Sequence, residues 1–185
     1  EFLQLTPSGV GMWRAIFTSF GFWKHFIIAY IINVACATGV NAAIMRGNRS
    51  VPFHTSNFVG DISGGLLIAP LLCGVLTTLV QTPFVKWGTR KGRYLAPSEA
   101  EVQGSWLRWV LVTNVWCRAV VVALGLTVVF GVLVAVLAVA VGSRRVPVPW
   151  ALVIIDIYAF PVQFLVVVAN YPAATYAAAR ASGES

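Results

Sequence analysis

The chain has 185 residues, of which 58% are hydrophobic and 10% are charged, and its mean hydropathy is +0.82. Soluble domains carry about 25% charged residues, so this composition excludes a surface that faces water on all sides. The net charge of +7 indicates basic loops that attract anionic headgroups, and no nucleic-acid partner is predicted.

Four apolar stretches are long enough to cross a bilayer, whose hydrocarbon core of about 30 Å requires about 20 residues of helix. Because the core offers no water to unpaired backbone groups, such segments are helices or barrel strands, and their length without alternation excludes strands. We therefore predict an all-α, four-helix integral membrane bundle. The predicted spans are 26–45, 62–84, 119–141 and 149–171.

The segment before the first span is predicted to be an amphipathic helix, at about 8–20, that lies in the membrane interface. Aromatic and aliphatic residues recur there at helical spacing from Trp13 onward. Trp23 and Lys24 follow, and a bulky amphipathic ring beside a long-stemmed cation is typical of a membrane boundary.

His25 lies at the same boundary and is the candidate cofactor ligand. A neutral imidazole there can bind haem or chlorophyll, but the second histidine, His54, lies in a loop. We therefore predict no cofactor. Within the first span, Ala35, Gly39 and Ala43 recur every four residues, which favours close approach of another helix.

The connection between the second and third spans, predicted as a loop at 85–97, determines the predicted orientation. Because cytoplasmic loops are enriched in Lys and Arg, this loop and both termini are predicted to be cytoplasmic. Its basic residues are Lys86, Arg90, Lys91 and Arg93.

After this loop, Ser98 and Glu101 have the spacing of a capping box, which predicts that a helix begins at residue 98. One straight helix from there to Val141 would be about 66 Å long at 1.5 Å per residue, so part of it is predicted to lie outside the core. A tryptophan stripe follows the cap, and Arg118 closes it at the start of the third span. The residues predicted to lie at the lipid interface are Trp13, Trp23, Lys24, Trp106, Trp109, Trp116 and Arg118.

The two halves of the chain share an order of residues that predicts a duplicated two-span unit. The predicted repeats are 1–96 and 98–185, and the second ends in a short tail after the fourth span. The two repeats are predicted to be related by a rotation axis along the membrane normal. Chance recurrence of boundary Trp and loop Arg or Pro is the alternative. The first equivalent pair is Pro7 and Pro97. The other pairs, whose members are 93 or 95 residues apart, are Trp13 and Trp106, Trp23 and Trp116, Arg49 and Arg144, Val51 and Val146, and Asp61 and Asp156.

Five short motifs carry a resemblance to a known kind of protein. They are Val51-Pro52 with Gly60-Asp61-Ile62, Ala69-Pro70-Leu71-Leu72, Thr82-Pro83, Arg90-Lys91-Gly92-Arg93 and Ala159-Phe160-Pro161-Val162. Together they resemble small uncharacterised bacterial multispanning membrane proteins built from a tandem two-helix domain of unknown function. This resemblance implies the two-span repeat and a bacterial inner membrane, and it implies no activity.

Asp61 and Asp156 are the candidate site residues. A carboxylate within a membrane span is energetically costly, so Asp156 in the fourth span is by default a candidate functional residue. Asp61 occupies the corresponding place at the mouth of the second span. One interpretation is an outward-facing ion or proton site shared by the two; the other is that each caps a helix start or pairs with a loop arginine.

No nucleophile elbow, phosphate loop, HExxH motif or cluster of metal ligands is present in the sequence. We therefore predict no catalytic residue, no metal site and no enzymatic activity. The three cysteines, Cys36, Cys73 and Cys117, show no paired spacing and are predicted to be small buried residues.

Three functions are consistent with these features. The leading hypothesis is a non-enzymatic accessory or structural subunit of a larger membrane complex, or a homo-oligomer, whose partners are membrane lipids and other membrane polypeptides or a second copy. The alternative is a small transporter or channel that uses Asp61 and Asp156. The third option is a lipid-binding or membrane-shaping protein, based on the Trp-rich segments and the basic loop.

Overall fold

The computed structural model describes residues 9–55, 60–105 and 108–183, which form seven α-helices and one short antiparallel ribbon. The elements in chain order are α1 Gly9–Thr18, α2 Phe20–Ile44, β1 Ser50–Pro52, α3 Ile62–Arg90, α4 Glu99–Gln103, α5 Arg108–Val112, α6 Val115–Val141, β2 Arg145–Pro147 and α7 Val148–Ser182. Four of the helices, α2, α3, α6 and α7, are long and apolar enough to cross a membrane. The predicted all-α, multi-pass membrane fold is therefore confirmed.

The two return helices, α3 and α7, lie at the centre of the bundle. α3 packs along both α6 and α7, and α7 also packs along α2. Contacts between α2 and α3, and between α6 and α7, are much sparser. Each outer helix therefore packs on the central helix of the other half of the chain, α2 on α7 and α6 on α3.

The two loops at one end of the bundle pair as the antiparallel ribbon, and we call this end the ribbon end and the opposite one the basic end. Val51 lies opposite Val146, and Ser50 lies opposite Pro147. The Arg145 guanidinium donates hydrogen bonds to the carbonyl oxygen (2.9 Å) and hydroxyl (3.1 Å) of Ser50. The 95-residue spacing makes Val51 and Val146 equivalent, so the pairing is symmetric about them. The duplication itself stays a prediction.

The fourth long helix runs past the predicted end of its span at residue 171, because α7 continues through most of the predicted short tail to Ser182. The last turns of α7 are buried and rich in alanine. Met12 of α1, Val102 of α4 and Leu111 of α5 join Tyr176 in one buried cluster around them. The helix continues because these short helices cover its apolar surface at the basic end.

A polar contact also holds α4 to the end of α7. The Tyr176 hydroxyl donates a hydrogen bond to the Glu99 carboxylate, and the Gln103 amide donates a second one at 2.9 Å. The bond from Tyr176, and then that from Gln103, lowers the pKa of Glu99 from its ordinary value. The carboxylate therefore stays ionised, and the contact stays in place, at neutral pH.

The helix predicted from residue 98 does begin there, but it is interrupted before the third span. The capping box is confirmed, since the Glu101 amide donates to the Ser98 hydroxyl (3.4 Å) and the Ser98 amide donates to the Glu101 carboxylate (2.8 Å). A new helix, α6, begins after Asn114, whose side-chain oxygen accepts a hydrogen bond from the Trp116 amide at 2.9 Å. The break lets α4 and α5 fold back over the bundle instead of extending it.

The basic loop is shorter than the predicted 85–97. α3 continues to Arg90, so Lys86 and Arg90 lie on its last turns, and Pro83 lies inside the helix without ending it. The chain then reverses at Gly92, whose φ of 65° is a left-handed conformation that glycine adopts at little cost. The cations are therefore presented at a helix end, where they stabilise its terminal carbonyl groups.

Gly74 marks a close approach of α3 to α6. A β-carbon at this position would lie 2.6 Å from the Cα of Ala123 and 2.8 Å from its Cβ. Because the atoms it would strike include backbone, a side chain here requires the whole of α6 to move.

Gly74→Ala is expected to lower the free energy of unfolding by about 1–3 kcal/mol, because it forces apart two closely packed helices. Gly125→Ala on α6 is the matched control, since a β-carbon there has no atom within 4 Å. Thermal unfolding of both purified variants in detergent measures the difference. A Gly74→Ala protein as stable as Gly125→Ala would contradict the close approach.

Candidate functional site

Asp61 is the N-cap of α3, which confirms the capping interpretation for this residue. Its carboxylate accepts hydrogen bonds from the Gly64 amide (2.7 Å), the Thr55 amide (2.8 Å) and the Ser63 hydroxyl (3.1 Å). The His54 Nδ1 atom lies 4.0 Å from it. Asp61 is buried, and these contacts join the loop after β1 to the start of α3.

Asp156 has different surroundings and does not cap α7, which begins at Val148. The Thr38 hydroxyl of α2 lies 2.8 Å and 3.1 Å from the two carboxylate oxygens, and the Tyr30 hydroxyl donates to the Asp156 carbonyl at 3.3 Å. At 1.5 Å per residue the side chain is about 12 Å along α7 from its first residue. Within the described part of the chain, no ion pair with a cation involves Asp156.

The two candidate carboxylates have different partners, and an ion or proton site shared by them stays a prediction. None of the hydrogen bonds and ion pairs among the described residues joins Asp61 to Asp156. The predicted pairing with loop arginines is not observed either, since Arg145 binds Ser50 instead. Asp61 is committed to a helix cap, whereas Asp156 is half-buried between α2 and α7.

A buried polar cluster joins α2 to the central pair of helices. The Asn33 amide donates to the Thr77 hydroxyl at 2.9 Å and to the Gln163 side-chain oxygen, and the Thr77 hydroxyl donates to the same oxygen at 3.2 Å. The three residues belong to α2, α3 and α7, and Gln163 is fully buried. Hydrogen bonds of this kind hold helices together in a membrane, where water does not compete for them.

A second cluster joins α6 to the same pair and contains Arg118. The predicted lipid-interface position of Arg118 is wrong, because its side chain is only 2% exposed. Its Nε atom donates to Asn170 Oδ1 at 3.2 Å, and its Nη2 atom lies 3.5 Å from the Thr82 hydroxyl. The side chain turns inward because α3 and α7 offer oxygen acceptors there. The sequence analysis did not predict this role of Arg118 or the roles of Gln163 and Asn170. The feature that could have indicated Gln163 and Asn170 is a polar residue inside an apolar span.

The other predicted lipid-interface residues keep surface positions where they are described. Trp23, Lys24, Trp109 and Trp116 are exposed, and Trp13 is half-buried against the Phe17 ring at 5.9 Å between ring centroids. Trp106 lies outside the described residues. Their contact with lipid stays a prediction.

A groove of about 270 Å³ separates α2 from α3. Ile155 and Ala159 of α7 contribute to its lining, and Asp61 lies in its wall, but Asp156 is not among the lining residues. The groove exists because the two helices pack on their neighbours rather than on each other. Its small lining residues are Cys36, Ala37, Gly60, Gly64, Gly65, Ala69, Cys73 and Ala159.

The small-residue stripe on α2, formed by Ala35, Gly39 and Ala43, is exposed and takes no part in internal packing. A β-carbon on Gly39 would have no atom within 4 Å. The backbone of another helix could therefore approach α2 closely at this stripe, on the outer surface of the bundle.

His25 packs between two tyrosine rings, with centroid distances of 5.0 Å to Tyr94 and 5.8 Å to Tyr171. Its Nε2 atom is buried and has no hydrogen-bond partner in the described part of the chain. No group of three or more His, Cys, Asp or Glu side chains positioned to hold a metal occurs in the parts of the chain that the structure describes.

The fold and these sites define an all-α multi-pass membrane protein with two buried polar clusters. No family model, curated protein or solved structure matches the chain.

Thr77→Val is expected to lower the free energy of unfolding by about 0.6–1.7 kcal/mol, because it removes the hydroxyl that bridges Asn33 and Gln163. Thr127→Val on α6 is the control, since the Thr127 hydroxyl bonds only to the Ala123 carbonyl of its own helix, at 2.7 Å. Unfolding of the two variants in detergent provides the comparison. Equal losses of stability would mean that the bond across the helices adds nothing.

Proposed function

We propose that the chain is a non-enzymatic membrane subunit that associates through α2 with a helix of another membrane polypeptide or of a second copy. The basic end faces the cytoplasm and carries both termini, and the membrane is a bacterial inner membrane. The observation that carries the proposal is the exposed small-residue stripe on α2.

The stripe favours a helix as its occupant. Small residues at four-residue spacing let two helix backbones approach closely. In a bilayer this close packing drives helix association, because lipid tails are as apolar as the helix surfaces and supply no hydrophobic driving force. A surface that contacts only lipid has no need of such spacing, and the other outer helix presents bulkier residues, such as Val128, Val132 and Val136, on its exposed face.

The groove between α2 and α3 adds to the surface that a partner helix can use. It lies beside α2 and is lined mainly by small and apolar residues, so side chains of a partner can enter it. Asn41 lies in its wall and donates its amide to the Ala37 carbonyl at 2.8 Å, which leaves its side-chain oxygen as an acceptor for a partner.

Native mass spectrometry of the chain extracted gently from its own membrane tests the proposal. We expect added mass that matches a polypeptide or a second copy. Gly39→Leu is expected to remove that mass, because the larger side chain blocks close approach, and a β-carbon at this position has no atom of its own bundle within 4 Å. Gly125→Leu on α6 is the matched control and is expected to keep it.

Three outcomes would contradict association through α2. A wild-type chain that is alone in mild detergent and brings no partner from its membrane would remove the subunit function. Lipid adducts as the only added mass would favour the lipid-binding alternative. Added polypeptide mass that survives Gly39→Leu would place the interface elsewhere.

A second candidate function, ion or proton transport, is favoured by Asp156. Its carboxylate lies within a span and receives a hydrogen bond from a hydroxyl, without a cationic partner among the described residues. A carboxylate within a membrane span is costly and by default indicates an ion or proton pathway. Asp61 does not belong to this candidate site, because its oxygens are used by the helix cap.

If transport occurs, Asp156→Asn is expected to abolish a proton or monovalent cation flux into liposomes, because the neutral amide cannot release a proton and carries no negative charge to attract a cation. Asp156→Glu keeps the charge and is expected to retain part of the flux. A pH-sensitive dye inside the liposomes provides the measurement. Equal fluxes for wild type and Asp156→Asn would exclude Asp156 from transport.

A further inference from the structure

The Arg118 guanidinium is buried at the junction of α3, α6 and α7, and its hydrogen-bond partners among the described residues are neutral. Nε donates to Asn170 Oδ1 (3.2 Å), Nη1 donates to the Thr113 carbonyl oxygen (3.3 Å) and Nη2 lies 3.5 Å from the Thr82 hydroxyl. No carboxylate among the described residues pairs with it. The charge is therefore compensated only by dipoles.

A buried charge of this kind is costly unless an opposite charge accompanies it. Removal of a guanidinium from water carries a large desolvation penalty, which neutral hydrogen bonds offset only in part. Arginine does not lose its proton in proteins, so the side chain cannot escape the cost by becoming neutral. The site therefore favours a negative charge close to Arg118.

The hydrogen bonds around Arg118 also leave donors without acceptors. Because Arg118 Nε donates, Asn170 must present its oxygen to it, and the Asn170 amide nitrogen then faces Gln81 Oε1 at 3.2 Å. Among the described residues, neither the buried Gln81 Nε2 atom nor the buried Thr78 hydroxyl has a hydrogen-bond partner. Gln81 is 6% exposed and Thr78 is fully buried. This chain of hydrogen bonds thus begins at a cation and ends at the unused Gln81 amide, and the Thr78 hydroxyl lies three residues before Gln81 on the same helix.

We infer that Arg118, Gln81 and Thr78 form an anion-binding site inside the basic end of the bundle. The ligand chemistry is a single negative charge that accepts several hydrogen bonds. A small inorganic anion such as chloride and the phosphate of an anionic lipid both have this chemistry, and the near-complete burial of Arg118 favours the small ion. This site is separate from the α2 surface and does not depend on the proposed association.

Thermal unfolding of the full chain in a neutral detergent tests the site. We compare sodium chloride with sodium gluconate at equal ionic strength, so that screening is the same in both. Above its dissociation constant, chloride is expected to raise the Tm by about 3 °C or more for each tenfold increase in concentration. A parallel arm adds phosphatidylglycerol or neutral phosphatidylcholine without chloride.

Arg118→Gln is expected to abolish the response to the anion, and Gln81→Leu is expected to weaken it. Arg145→Gln, at the exposed ribbon end, is the control for general electrostatics and is expected to respond like wild type. If Arg118→Gln does not fold, Gln81→Leu and the wild-type titration carry the test. The readout is the response to the anion, so a loss of stability alone does not imitate the result.

A wild-type Tm that is the same in chloride, gluconate and phosphatidylglycerol would overturn the site. A folded Arg118→Gln protein with the wild-type response would do so as well. A response to phosphatidylglycerol alone that is lost in Arg118→Gln would support the site and identify the anion as a lipid phosphate.

Discussion

Within the bilayer, a polar side chain is costly unless it finds a partner inside the protein, and the pairing of several polar side chains across α3 and α7 constrains the arrangement of the bundle. Gln163 and Asn170 of α7 face Thr77, Gln81 and Thr82 of α3 along the central pair. Each outer helix then adds one polar side chain to this seam, Asn33 from α2 and Arg118 from α6. An unpaired amide or guanidinium in hydrocarbon is so costly that this pairing limits how far each outer helix can slide or rotate.

The same constraint explains why the surface of the bundle is uneven. Both outer helices are tied to the central pair, but α2 packs mainly on α7 and leaves a groove beside α3, whereas α6 packs closely on α3 at Gly74. α2 consequently keeps its small-residue stripe on the outside. At the basic end, the short helices α1, α4 and α5 cover the part of α7 that extends beyond the predicted span. At the ribbon end, the pairing of Val51 with Val146 joins the two outer loops.

Local chemistry could be predicted where the partners are near in sequence. The capping box of Ser98 and Glu101 and the cap at Asp61 depend on residues three positions apart, so spacing alone indicates them. Arg118 shows the opposite case. Beside a tryptophan at a span boundary it is typical of a lipid-facing cation, and only the positions of Thr82 and Asn170, on two other helices, turn it inward.

The sequence by itself determined the number of long helices and the all-α class, because hydrophobic length and the need for internal backbone hydrogen bonds are local properties. It also determined that polar residues are present in the spans. Only the tertiary structure decided which of them meet, where the helix before the third span breaks, how far α7 extends, and that Asp61 and Asp156 lie in different surroundings. These features depend on which helix faces which, and hydropathy is nearly the same for every arrangement of four apolar helices.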